Sequence, residues 1–150
     1  MKRSAALTPL SREHHQALFL VKQVRDRQGE GESRELILAF WEAEGAPHFR
    51  IEEEVLLPGS GLDGPDRDPE VARMLDDHLA IRRGINDLRE ERTSPEGLIQ
   101  LVDRLHDHVR FEERELFPRI ERDLPECQLE DLRVAILEAE AEIGSPDGSL

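Results

Sequence analysis

The sequence predicts an all-α fold: an antiparallel up-down-up-down four-helix bundle with an additional C-terminal helix. Apolar residues recur at helical spacing along five stretches of the chain, and the connections between the first four are short. No run alternates apolar and polar residues with the period of two that a strand requires. At 150 residues the chain is most simply one domain, residues 1–150, with a bundle core over about 7–122.

The first helix is expected to start at Thr8 as the N-cap residue, with Pro9 at the first helical position. His14 falls on its apolar stripe, which otherwise consists of Leu10, Ala17, Leu18, Val21 and Val24. The sequence Gln28-Gly29-Glu30-Gly31 is expected to end this helix.

Ser33 is expected to cap a second helix, whose apolar face includes His48 and Glu52. Pro47 interrupts this stretch, because a proline removes one helical hydrogen bond and clashes with the carbonyl four residues earlier. The helix is therefore kinked there, or it breaks and restarts, and we favour a kink within one element. Pro58 and the glycine after it are expected to end the element.

Residues 59–69 read as a loop, and Asp68-Pro69 then starts a third helix with His78 on its apolar stripe. Ser94-Pro95 starts a fourth, with His108 and Glu112 on its apolar side.

The last amphipathic stretch runs from about Pro125 to Ile143 and is expected to pack across the bundle, while residues 144–150 are expected to fray.

One segment occurs twice. His48-Phe-Arg-Ile-Glu-Glu-Glu-Val-Leu-Leu-Pro58 and His108-Val-Arg-Phe-Glu-Glu-Arg-Glu-Leu-Phe-Pro118 lie 60 residues apart and share six of eleven residues. Each copy holds a histidine and a glutamate four residues apart, which a helix places on one face, one turn apart. Such an imidazole and carboxylate can share a metal ion.

Six polar residues lie on the apolar stripes of the four helices: His14, His48, Glu52, His78, His108 and Glu112. Burial of these groups is costly unless metal ions keep the carboxylates ionised and the imidazoles neutral. Nitrogen and carboxylate ligands without thiolate suit iron, manganese or zinc. We therefore predict a two-metal site, whose metal the ligand types alone do not identify. Each glutamate can bridge both metals, each metal takes two histidines, and the remaining positions hold an oxo or hydroxo bridge and a small ligand.

Neighbouring polar residues have simpler interpretations. A lone histidine on an apolar stripe is more often a core residue than a ligand, but the duplicated motif reverses that expectation. His15 points off the stripe and is the alternative to His14, and His106 is expected to be exposed. Glu53 and Glu113 are expected to face water or arginine side chains.

The formal net charge of −14 disfavours nucleic acid and anionic membrane as partners. Cys127 is the only cysteine, so an intrachain disulfide cannot form. The first residues carry no apolar run typical of a signal peptide, and no stretch is long and apolar enough to span a membrane. A cytoplasmic location is expected.

With its duplicated motif and its four histidines on apolar stripes, the sequence resembles the hemerythrin-like (HHE cation-binding) family over residues 7–122. The resemblance implies an antiparallel four-helix bundle with a non-haem di-iron centre. It implies His14 and His78 as single ligands of the first and third helices. The second and fourth helices would supply the pairs His48/Glu52 and His108/Glu112, with both glutamates bridging.

Two departures separate this chain from the oxygen-carrying hemerythrins it resembles. Their third helix carries HxxxH, where this chain has Arg82 at the second position, and their fourth carries HxxxxD, where this chain has HxxxE. The chain also contains no tyrosine, so no phenolate ligand is available. The resemblance therefore favours iron or oxygen sensing, or peroxide and nitric oxide chemistry, over reversible oxygen transport.

Four functions compete. The first is a di-iron protein that meets a small oxidant (oxygen, peroxide or nitric oxide) in sensing or detoxification. The second is an iron-responsive or iron-handling module without catalysis. A ferritin-like oxidase is disfavoured because such proteins use Glu-x-x-His, which is absent here. A metal-free helical interaction domain is the fourth. Whether the chain is an enzyme, and whether it binds a protein partner, stay open.

Overall fold

The computed structural model describes residues 2–144, and all regular structure within them is helical. Five helices follow in order: α1 (Thr8–Asp26), α2 (33–59), α3 (Pro69–Arg89), α4 (95–123) and α5 (Glu126–Gly144). The all-α prediction is confirmed for this range. The fraying expected near the C-terminus concerns residues 145–150, which lie outside the described residues. None of the helices between residues 2 and 144 combines the length and apolarity that crossing a bilayer requires.

Helices α1 and α3 each pack against both α2 and α4, and α5 lies against the C-terminal half of α2. The core consists of two apolar clusters, one containing Trp41 and Phe49 and the other containing Met74 and Phe117. On α1 and α3 the histidine on the apolar stripe is preceded along the helix by a residue of one cluster and followed by a residue of the other. His14, for example, lies between Leu10 and Ala17. The polar site therefore interrupts the apolar core at one level.

Helices α2 and α4 contain π-helical turns. In α2 the α-helical segments Ser33–Phe40, Ala46–Ile51 and Leu57–Gly59 are joined by the π-helical segments Trp41–Gly45 and Glu52–Leu56. In α4 the π-helical segment Glu112–Leu116 joins Pro95–Phe111 to Phe117–Asp123. Two of the three π turns therefore begin at the glutamates of the duplicated motif, at corresponding positions, and π turns in α-helices are frequent at functional sites.

A proline follows each π turn. The N–H groups that close the turns belong to Ala46, Leu57 and Phe117, each bonded to the carbonyl five residues earlier. The next residues are Pro47, Pro58 and Pro118, which have no N–H to donate. The wider turn keeps each helix continuous up to its proline, so α2 continues through Pro47 and does not break there.

Two of the four predicted N-cap residues act as N-caps in the structure. Asp68 accepts from the backbone N–H groups of Glu70 and Val71, and Ser94 accepts from that of Gly97, as expected of N-caps. The N-cap predictions for Thr8 and Ser33 are wrong, because both are the first residues inside their helices. Their hydroxyls donate 2.7 Å bonds to backbone carbonyls of the preceding turn, so that turn, and not a side-chain cap, leads into the helix.

Helices α1 and α3 end in the same motif. The residues Gln28 and Glu91 have left-handed φ angles of 56° and 59°. The N–H groups of Gly29 and Arg92 return to carbonyls five residues earlier, on Val24 and Asp87. This is the Schellman arrangement, in which glycine is the favoured left-handed residue.

Candidate metal centre

All six predicted site residues meet inside the protein. His14 comes from α1, His48 and Glu52 from α2, His78 from α3, and His108 and Glu112 from α4, and all are buried. Their ligating atoms form two groups in which every atom lies within 4.8 Å of the others. One group is His14, His48, Glu52 and Glu112, and the other is Glu52, His78, His108 and Glu112. Both glutamates belong to both groups, which is the arrangement that two bridged metal ions need.

The Nε2 atoms of the four histidines point towards the two glutamates. The nitrogen–oxygen distances are 2.9 Å for His14–Glu112 and 3.0 Å for His78–Glu52. They are 3.1 Å for His48–Glu52 and 3.3 Å for His108–Glu112. Two ligands that each lie about 2.1 Å from one ion at a right angle are about 3.0 Å apart. The spacing therefore fits neighbouring ligands of a shared metal ion.

Four buried atoms at the centre have no hydrogen-bond partner in the part of the chain that the structure describes: Nε2 of His48 and His108, and Oε2 of Glu52 and Glu112. Their mutual distances are short, but their directions do not suit a hydrogen bond. Unpaired polar atoms in a protein interior are costly and call for an explanation. Metal ions between these atoms would satisfy all four, so the residues present fit such ions.

The outward Nδ1 atoms of the histidines all meet carboxylates. The distances are 2.6 Å for His14–Glu113 and His78–Glu53, 2.8 Å for His48–Glu13 and 3.1 Å for His108–Asp77. An ionised carboxylate can only accept a hydrogen bond, so each Nδ1 carries a proton, and with a metal ion bound the lone pair of Nε2 would face that ion. Carboxylates in this position orient metal-binding histidines in many proteins.

The prediction that Glu53 and Glu113 face water or arginine is incomplete, and Glu13 and Asp77 were missed altogether. The sequence does carry a signal for all four. An acidic residue directly precedes His14 and His78, and another directly follows each glutamate of the duplicated motif. These acids share the helical turn of one ligand but face the histidine of another helix, so only packing of the helices reveals their role.

Arginines hold three of these four carboxylates. Arg82 donates to Glu53 at 2.7 Å and 3.2 Å, Arg3 to Glu113 at 3.1 Å, and Arg104 to Asp77 at 2.9 Å. Arg82 lies four residues after His78 on α3. Here its side chain is about one-third exposed and reaches an orienting carboxylate, not the centre.

Charge within the cluster shifts the pKa values of its members. Burial is the largest single effect on each imidazole and opposes protonation, but the surrounding carboxylates outweigh it and raise the pKa of all four histidines. The pKa of His108 rises to about 10. Burial also opposes ionisation of Glu53 and Glu113, yet their histidine and other polar partners lower both pKa values to about 2. Without metal the cluster therefore holds protons that a metal ion must displace.

The remaining histidines lie outside the cluster. His15 is exposed, as expected of a residue off the apolar stripe, so His14 occupies the site in its place. His106 was expected to be exposed, but its side chain is only 26% exposed and lies 3.3 Å from the carboxylate of Asp107. It turns away from the cluster on the same helix as His108.

Two aromatic rings cover histidines of the cluster. Phe49 stacks on His78 with ring centroids 3.7 Å apart and an interplanar angle of 4°. Phe117 stacks on His14 at 5.3 Å and 15°. These rings immobilise the imidazoles and exclude water from them.

Comparison with protein families gives one match: the model described as the hemerythrin HHE cation binding domain matches residues 5–120. Comparisons with curated proteins and with solved structures found no match.

Proposed function

The chain belongs to the hemerythrin HHE cation-binding family, and on that premise we propose that it is a non-haem di-iron protein. Its role is to interact with a small oxidant, namely oxygen, peroxide or nitric oxide, in sensing or detoxification. The observation that carries the proposal is the buried cluster of four histidines and two glutamates, with four central atoms that bound metal ions would satisfy.

In this proposal His14 and His48 would hold one iron, His78 and His108 would hold the other, and Glu52 and Glu112 would be available to both. Bound iron supplies electron exchange with the oxidant at an open coordination position. The protein's own contribution is positional. The orienting carboxylates hold the proton of each Nδ1 and aim each Nε2 at the centre, and apolar clusters lie on either side of it.

Iron is favoured over manganese and zinc by the family and not by the ligands, because imidazole and carboxylate bind all three metals. The absence of HxxxH on α3 argues against reversible oxygen transport, since Arg82 contacts Glu53 and leaves the centre with four histidines. Sensing and detoxification are therefore the preferred roles.

The test is elemental analysis of the purified protein, with absorption spectra recorded before and after anaerobic reduction. We expect two iron ions per chain and a near-ultraviolet band of the oxidised bridged pair that disappears on reduction. Addition of oxygen, peroxide or nitric oxide to the reduced protein should change the spectrum. Absence of metal, or no response to any of the three oxidants, contradicts the proposal.

The second candidate is an iron-responsive or iron-handling module without catalysis. The interrupted core favours it, because metal ions at this level would complete the packing between the two apolar clusters. A ligand that binds only the folded state stabilises it, by about 2.7 kcal/mol at a concentration one hundred times Kd. A melting temperature that depends on metal, together with inertness towards all three oxidants, would select this candidate.

We further propose that α1 to α4 run up, down, up and down in one antiparallel bundle, as the short connections and the packing of α1 and α3 against both α2 and α4 suggest. A cytoplasmic location is proposed as well, because Cys127 is exposed and unpaired, as cysteines of reducing compartments typically are. Cell fractionation tests the location.

A further inference from the structure

The segment before α1 is fastened to α4. Residues 2–7 form an irregular stretch followed by a turn, and the last two of them are buried in the apolar core. Arg3 donates to Oε1 of Glu121 at 2.6 Å and to the backbone carbonyl of Glu113 at 2.9 Å. The backbone N–H of Ser4 donates to the second oxygen of Glu121. Arg3 is therefore the main polar attachment of this segment to the helix.

Arg3 also supports His14 by two routes. It donates to Oε1 of Glu113 at 3.1 Å, and the other oxygen of Glu113 lies 2.6 Å from Nδ1 of His14. Ser11 donates to that same oxygen at 2.6 Å, so Arg3 supplies the cationic part of the support. The guanidinium lies over the ring of Phe117, 5.7 Å from its centroid, and that ring stacks on the imidazole of His14. Arg3 thus holds both the carboxylate and the ring that position this histidine.

The two halves of the centre differ in how their outer carboxylates are held. The second half is the pair of histidines His78 and His108. Their outer carboxylates, Glu53 and Asp77, are held by arginines at 2.7 Å and 2.9 Å. These arginines are Arg82 and Arg104, and both belong to helices of the bundle. The support of the second half can therefore be lost only if α3 or α4 is disturbed.

The first half is the pair of histidines His14 and His48. The outer carboxylate of His48 is Glu13, which has no arginine within ion-pair distance among residues 2–144. The outer carboxylate of His14 is held by Arg3, which belongs to no helix. Irregular segments open locally at a lower cost in free energy than packed helices. The first half is therefore the more weakly supported one, and its support depends on residues 2–7.

We propose that residues 2–7 control the metal ion of the first half, with Arg3 as the positioning residue. This ion is the more labile of the two and exchanges when the segment opens. The ion of the second half is retained longer, because the arginines that support it lie within helices. The inference rests on the proposed function for the presence of two ions. It gives the chain the means to exchange one ion without losing the other, which an iron-handling module needs.

The first experiment loads the full-length protein with cobalt(II), which imidazole and carboxylate ligands also bind, and removes it with an excess of chelator. We expect the wild type to lose its ions in two phases of one ion each. Crystals of protein stopped after the first phase should contain cobalt beside His78 and His108 and none beside His14 and His48. Loss of both ions together, or a first loss from the second half, overturns the proposal.

Three matched variants identify the residue responsible. Loss of a direct orienting partner lowers metal affinity about 10- to 100-fold, and Arg3 acts through such a partner, so Arg3→Gln should speed the first phase by about three- to tenfold. The second phase should keep its wild-type rate. Arg82→Gln should speed the second phase instead. Arg122→Gln is the neutral control, because that side chain is 71% exposed and pairs with Asp123, and both phases should stay unchanged.

Arg3→Lys separates positioning from a general effect on stability. Lysine keeps the positive charge but lacks the fork of nitrogens that lets Arg3 reach Glu113 and Glu121 together. The first phase should therefore return part of the way to the wild-type rate. A merely structural role would lower the melting temperature and speed both phases alike. Equal acceleration of the two phases in Arg3→Gln, or of neither, contradicts the proposal.

The second experiment needs no metal. The backbone N–H groups of Leu7 and Thr8 both donate to the carbonyl of Ser4, so their hydrogen exchange reports opening of the segment. We expect faster exchange at both positions in metal-free Arg3→Gln protein and wild-type exchange in Arg122→Gln. Unchanged exchange in Arg3→Gln overturns the proposal.

Failure of this inference can be told apart from failure of the proposed function. A folded protein that takes up neither cobalt nor iron refutes the proposed function and, with it, this inference. A protein that binds two ions and releases them together refutes this inference alone.

Discussion

Each of the four clustered histidines contacts a carboxylate at both ring nitrogens, an inner one at Nε2 and an outer one at Nδ1. The outer carboxylates are Glu13, Glu53, Asp77 and Glu113, each from a helix other than that of its histidine. The inner ones are the proposed ligands Glu52 and Glu112. At the scale of single residues, this two-sided contact sets the direction of every imidazole.

Replacing a proposed ligand should remove metal without removing the fold. We expect His48→Ala and His108→Ala each to reduce iron content sharply, because each leaves one iron with a single histidine. His15→Ala is the control, since His15 is exposed beside the site. Elemental analysis and circular dichroism measure the two effects. Unchanged metal content in both variants would refute the ligand assignment.

Glu53 is expected to act on the metal through His78. Glu53→Gln keeps the size of the side chain but weakens the bond to Nδ1, and loss of such orienting partners typically lowers metal affinity by about 10- to 100-fold. The matched control is Glu54→Gln, one position along the helix, where the side chain is 60% exposed and pairs with Arg50. Competition with a chelator measures affinity. Equal affinities in the two variants would contradict an orienting role.

At the scale of helices, the π turns and the helix ends are where the backbone departs from regular α-helical geometry. The π turns at Glu52 and Glu112 begin at the glutamates of the cluster, and each ends two residues before a proline that cannot donate a backbone hydrogen bond. The pattern repeats at 41–45, before Pro47. A proline lies six residues after the first residue of each π turn and is therefore a sequence signal for these turns. Glu52 and Glu112 are the first residues of two of the three turns.

The end of α3 offers a stabilising substitution. Glu91 has a left-handed φ of 59°, which costs a residue with a side chain roughly 1 kcal/mol relative to glycine. Glu91→Gly should therefore raise the free energy of unfolding by up to about 1 kcal/mol. Glu90→Gly, at φ −88°, gains nothing and serves as the control. Urea denaturation measures both, and a destabilised Glu91→Gly protein would show that the strain is absent.

At the scale of the molecule, contacts between helices hold the bundle around its polar centre. Asp68 caps α3 and also accepts from Arg119 of α4, at 3.0 Å in one of the two bonds. Hydrogen bonds from Arg119 are the main cause that lowers the pKa of Asp68, with burial opposing them. The pair joins the start of one helix to the end of another, on α3 and α4, which together carry half of the site.

This pair should make stability depend on pH. Because the pKa of Asp68 is lower in the folded protein than its usual value near 3.9, its contribution is fully present above about pH 4 and is lost as the pH falls through the folded pKa. Asp68→Asn keeps an N-cap and removes the charge, so it should destabilise metal-free protein by about 1–2 kcal/mol at pH 7 and by much less near pH 2. Urea denaturation at both pH values tests this, and an equal difference at both would contradict it.

The sequence by itself predicted the helical class, the positions of the helices and all six residues of the central cluster. Apolar residues at helical spacing reveal which face of each helix is buried, and a polar residue on that face stands out against them. Because the His/Glu pair occurs twice, chance placement of these polar residues on buried faces is an unsatisfactory explanation. The ligand role of the six residues stays a prediction until metal is measured.

Only the tertiary structure decided which carboxylate faces which histidine, and where free space borders the centre. Glu53 lies on α2 next to Glu52 but contacts His78 of α3, and no spacing within one helix encodes that pairing. A small cavity lined by Ala17, His14 and His48 likewise exists only because α1, α2 and α4 pack around it. Contacts across helices depend on how the helices are arranged, whereas the buried face of one helix follows from the spacing of its own apolar residues.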